Sequence, residues 1–105
     1  MRTYYHATDY SNIVSILDKG LKASTIDGLV YLAETEDDAL KFVVLRGYEK
    51  IVTFKVKIYK RDEDKLIETF DHNQRFFKCR SFGYMGNIPP SNVIPSKKYE
   101  FNGGY

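Results

Sequence analysis

Tyr5-His6-Ala7-Thr8 and, further along, Gly28-Leu29-Val30-Tyr31-Leu32-Ala33 decide how this chain reads. Each run looks like the end of a short strand that carries polar atoms, the first strand spanning residues 2–7. Between them Ile13, Ile16 and Leu17 fall on one helical face, with Ser11 in place to cap its start and Gly20 in place to stop it in a left-handed turn. Residues 21–28 form a loop holding Ser24, Thr25 and Asp27. After the second strand, Thr35 caps another helix, Asp38 closes a capping box, and Glu36 and Asp37 sit at its positive end. Ala39, Leu40, Phe42, Val43 and Val44 make the buried side of that helix, and Gly47 ends it.

Residues 51–59 are the clearest strand. Val52, Phe54, Val56 and Ile58 alternate with Thr53, Lys55 and Lys57, which predicts one buried face and one wet face. Residues 60–65 are a charged turn, and residues 66–70 read either as a strand or as a helical turn. Residues 76–85 are aromatic-rich and extended, proline fixes a turn over residues 87–92, and residues 93–101 make a last strand before a frayed end. Two helices among mostly strands give an α+β domain with a chiefly antiparallel sheet.

The chain's 105 residues suffice for one domain with one core. A hydrophobic share of 43% excludes a disordered tail, and a net charge of +2 with scattered Lys and Arg is too small to argue for nucleic acid. A protein partner is therefore expected ahead of a nucleic-acid one. The single Cys79 excludes an intramolecular disulfide, reads as a small core residue sooner than a nucleophile, and leaves no thiolate metal site. No apolar run reaches the roughly 18 residues a membrane span needs. The expected location is cytoplasmic, with no membrane partner.

His6 and Tyr31 carry the chemistry. A lone strand histidine is more often structural than functional, but Thr8 lies two residues on, so its hydroxyl points to the same face. An imidazole can hydrogen-bond a ribose, and a phenol offers a flat face for an aromatic ring. Together these form a way to hold a nucleotide. The Tyr-His-x-Thr run, an Ile-rich helix ending in Gly-Leu, the strand Val-Tyr-Leu-Ala and a helix with Ala39 and Phe42 resemble the His–Tyr branch of the ADP-ribosyltransferase superfamily. Tyr84-Met85-Gly86-Asn87-Ile88-Pro89-Pro90 is similar to a late strand and exit turn of many members.

The resemblance implies split antiparallel β-sheets with two short helices, residues 2–59 forming an NAD-binding half and the rest a second sheet. It implies NAD as substrate. His6 would anchor the adenosine ribose with help from Thr8, the backbone at Ala7 would hold the nicotinamide amide, and Tyr31 would stack on nicotinamide. Transfer of ADP-ribose to a macromolecule would follow, with Arg80 and then Arg75 as acceptor-side candidates beside the polar run 71–75. At this size it implies a small phage or mobile-element effector acting on host or defence proteins.

One motif departs. The family usually carries a glutamate on the late strand, where it favours the positive charge that develops as the glycosidic bond breaks. Here Cys79-Arg80-Ser81-Phe82-Gly83-Tyr84 holds no acid, and Glu68, Asp71 and Glu100 are out of register. A second reading thus stands beside the first: a non-catalytic module that binds a nucleotide or blocks a protein partner. A third leaves His6 and Tyr31 purely structural. A two-histidine phosphoesterase fails because His72 is followed by Asn73 and Gln74, and no glycine-rich phosphate loop occurs.

Overall fold

The computed structural model describes residues 1–44, 46–69 and 81–100. The chain builds an α+β domain on a single six-stranded antiparallel sheet, ordered β4-β5-β2-β1-β3-β6. Strand β1 (Arg2–Asp9) lies at its middle. One edge of β1 pairs with β3 (Lys50–Ile58) in unbroken register from Arg2↔Ile58 to Asp9↔Ile51, which carries the strand two residues past its expected end. The far edge of β3 takes β6 (Val93–Glu100), with a slip in register between Thr53 and Phe54. On the other side, β2 (Leu29–Ala33) pairs with β5 (Ser81–Met85), and β5 with β4 (Leu66–Thr69).

These two three-stranded halves meet at one register pair, Tyr5↔Ala33. The sequence-order division into residues 2–59 and the remainder does not hold. The last strand returns to β3, on the side of β1, while β2 joins the later strands β4 and β5. Long-range pairing, rather than position along the chain, sorts the strands.

Each face of the sheet is covered. Helix α1 (Ile13–Lys19) and the proline turn at residues 88–93 close one face over Tyr4, Leu32, Phe54, Val56, Ile58 and Phe82. Helix α2 (Glu36–Val44) closes the other over Ala7, Ala33, Ala39, Phe42, Val43 and Ile51. Burying the leucine, valine, isoleucine and phenylalanine side chains among these stabilises by about 1.5–3 kcal/mol each before entropy is counted. The cover by α2 corrects one expectation: Thr53 is fully buried, not wet, because the first turn of α2 sits over that end of β3. Ser11 is not the helix cap either. Asp9 accepts from the Ser11 N–H at 3.2 Å to start a 3₁₀ turn, and α1 begins only at Ile13. Thr35 does cap α2, accepting from the Asp38 N–H at 3.1 Å.

Gly20 ends α1 at φ +80°, and here only glycine fits. A Cβ at this position would lie 2.0 Å from the carbonyl oxygen of Ile88. That closeness lets Leu21 and Ile88 exchange two backbone hydrogen bonds, of 2.9 and 2.8 Å. The loop leaving α1 is thereby fastened to the proline turn, and the same loop forms one wall of the site.

Candidate functional site

β1 and β2 diverge on leaving the Tyr5↔Ala33 pair, and a cleft of about 420 Å³ opens there. That is a typical size for a small-ligand site. Tyr5, His6 and Ala7 of β1 line it together with Leu29, Val30 and Tyr31 of β2. Because it sits at the seam of the sheet, residues from both faces reach it. Ala39, Phe42 and Val43 of α2 form its apolar wall, and Lys22, Ser24 and Arg46 bring polar atoms. The loop bearing Lys22 and Ser24 is held by the Ala23 N–H, which donates to Asn87 Oδ1 at 2.8 Å.

His6 links the two strands. Its Nδ1 lies 2.8 Å from the carbonyl oxygen of Tyr31. A carbonyl only accepts, so the proton resides on Nδ1 and the neutral ring keeps Nε2 as an acceptor. Burial pushes the imidazole below its ordinary value; the bond to Tyr31 opposes this, and the charge of Arg46 adds to it. The ring is therefore neutral at physiological pH, in one tautomer.

Tyr31 stands 39% exposed and lines the cleft. Its phenol donates to Asp27 Oδ2, and the Leu29 N–H donates to Asp27 Oδ1 at 3.0 Å. Those two bonds, the phenol first, hold the Asp27 carboxyl below its usual range. Sequence reading placed Asp27 only in a loop. The available signal was the Asp-Gly turn, which sets its carboxylate beside the start of β2 and four residues before the tyrosine.

Lys22 and Arg46 line the cleft and have no acidic partner among the described residues. No Asp or Glu is among its described lining residues. Glu100 is distant in the fold, opposite Lys50 on β6 and paired with Lys98 Nζ at 2.9 Å, and Glu68 lies on the outer strand β4.

The structure thus brings His6, Ala7 and Tyr31 together. Thr8 is not among the lining residues; its hydroxyl accepts from Asn12 Nδ2 at 2.9 Å, which ties β1 to the turn ahead of α1. Arg80, Arg75, Asp71, His72 and Cys79 lie outside the described residues. Among the described residues no three His, Cys, Asp or Glu side chains gather as a metal site would need. No described helix is long and apolar enough to cross a membrane. Comparison with protein-family models and with curated proteins finds no match.

Proposed function

We propose that the cleft between β1 and β2 binds NAD and that the protein transfers ADP-ribose from it to a macromolecular acceptor, a protein ahead of a nucleic acid. The observation that carries this reading is the convergence of His6 and Tyr31 on one cleft, at the point where their strands part. His6, fixed by the Tyr31 carbonyl, offers Nε2 to a ribose hydroxyl. Tyr31 offers its ring face to nicotinamide. The backbone at Ala7, beside His6, is in reach of the carboxamide, and the unpaired charges of Lys22 and Arg46 suit the diphosphate. The reaction class comes from the resemblance to ADP-ribosyltransferases. Positioning and electrostatics would carry catalysis, since nicotinamide leaves once the oxocarbenium ion is stabilised.

One observation favours the second reading, a non-catalytic nucleotide-binding or partner-blocking module. No carboxylate is among the described lining residues of the cleft to stabilise a developing positive charge. Losing one such preorganised group costs on the order of 10²–10³ in rate. Calorimetric titration with NAD, followed by a labelled-NAD transfer assay in lysate, separates the readings. Binding with label transferred to a macromolecule supports the enzyme, and binding without transfer or nicotinamide release supports the module. NAD binding unchanged in His6→Ala overturns the assignment of the nucleotide to this cleft.

A further inference from the structure

We propose that Gly83, which is not among the residues lining the cleft, sets how bulky a group the cleft admits, because Leu29 lies where its side chain would be. This rests on the reading of the cleft as the NAD site and adds to it a residue that determines what fits there.

Gly83 stands in the interior of β5, in register with Tyr31 of β2 and Ile67 of β4. Glycine weakens a strand there, since it loses more backbone freedom on folding and offers no side chain to pack. Its backbone is outside the left-handed region that Gly20, Gly28, Gly47 and Gly86 occupy, so conformation does not call for glycine. Space does. A Cβ at Gly83 would lie 2.9 and 3.3 Å from the two methyls of Leu29 and 3.0 Å from Cγ2 of Thr69. The isobutyl group of Leu29 thus crosses to the neighbouring strand and rests on bare backbone.

Of the two neighbours only Leu29 can yield. The Thr69 hydroxyl bonds the Ser81 hydroxyl at 2.8 Å, which in turn donates to the Thr69 carbonyl at 2.9 Å, so that side chain is pinned. Leu29 is held through its backbone: its N–H donates to Asp27 Oδ1 at 3.0 Å, and its carbonyl accepts from the Ser24 N–H at 2.9 Å. Its half-buried apolar side chain can respond by changing rotamer. Leu29 also lines the cleft of about 420 Å³. A methyl group added at residue 83 therefore turns the isobutyl group off the sheet and into that space. Gly83 touches no ligand and is a positioning residue that acts through Leu29.

Calorimetry with NAD tests this on the wild-type chain, Gly83→Ala, Leu29→Ala and the double variant, with thermal melts to confirm folding. Gly83→Ala should weaken NAD binding about ten- to a hundredfold, the effect of surplus carbon atoms in a fitted pocket. Removing the displaced group should undo this, so the double variant should bind within about twofold of Leu29→Ala alone. A purely structural role for Gly83 would not be rescued in that way. Binding unchanged in a folded Gly83→Ala, or a loss that persists in the double variant, would overturn the role of Gly83 while the NAD site stands. A folded wild type that binds no NAD overturns the site and this role together. In the free wild type, nuclear Overhauser contacts between the Leu29 methyls and the Gly83 α-protons are expected, and their absence would overturn the proposal without any variant.

Discussion

The two edges of β1 differ in kind. Toward β3, all eight of its residues are in register, and the junction with α2 beyond is closed by a dense polar clasp. There Glu36 accepts from Thr53 Oγ1 at 2.9 Å, Ser96 Oγ at 2.5 Å and the Tyr99 hydroxyl at 3.2 Å, with Lys97 Nζ at 3.7 Å. Toward β2 there is one register pair and an open cleft. In the clasp the polar atoms of Glu36, Thr53, Ser96 and Tyr99 bond one another. At the cleft, His6 Nδ1 is fixed by the Tyr31 carbonyl and Nε2 remains an acceptor, while the Tyr31 side chain, bonded to Asp27, stays partly exposed. A strand with one saturated edge can leave the other open without losing its place in the sheet.

Substitutions on the two sides should behave accordingly. Phe54→Ala, at the centre of the closed side and fully buried, should cost about 3–5 kcal/mol by urea or thermal unfolding. Glu36→Gln should come next, at roughly 2 kcal/mol, since it removes a charge that three hydroxyls and a lysine surround. Burial works to raise the Glu36 carboxyl, but the hydrogen bonds and Lys97 outweigh it and hold it low. Its contribution is therefore present above the ordinary carboxylate value and fades as pH falls through the lowered one. The Glu36→Gln penalty should shrink in strong acid, and a penalty that does not change with pH would remove the charge from the explanation.

Tyr31→Ala, on the open side, should change stability by about 1 kcal/mol or less, because the ring is well exposed. The smallest effect belongs to His6. Its value in the folded chain is lowered, so the unfolded chain takes up the proton first as pH drops below about 6.5. Stability should decline from there until the folded-state value is passed, and His6→Gln should remove that component. Urea midpoints between pH 7.5 and 5 read it, and parallel curves for the two proteins would contradict it.

Local structure was legible because its causes are local. The alternation of Val52, Phe54, Val56 and Ile58 marked β3, and Thr35 marked the start of α2. His6 and Tyr31 were readable as polar groups on two strands that could lie side by side, and the fold lines one cleft with both. What escaped depends on partners far along the chain. Glu36 looked like an ordinary charge at a helix start, yet Ser96 and Tyr99, which complete its clasp, are 60 and 63 residues away. Thr53 looked wet because nothing in its neighbourhood announces the helix that covers it. Lys22 and Arg46 were two scattered cations until the loop after α1 and the end of α2 met at the cleft.

The decisive measurement is an amide NMR titration of the folded protein with NAD. Shifts concentrated at Tyr5, His6, Ala7, Leu29 and Tyr31, with Thr53, Ser96 and Tyr99 unmoved, are expected if the open edge of β1 is the binding site. Shifts centred on the clasp, or none at millimolar NAD, would contradict that assignment.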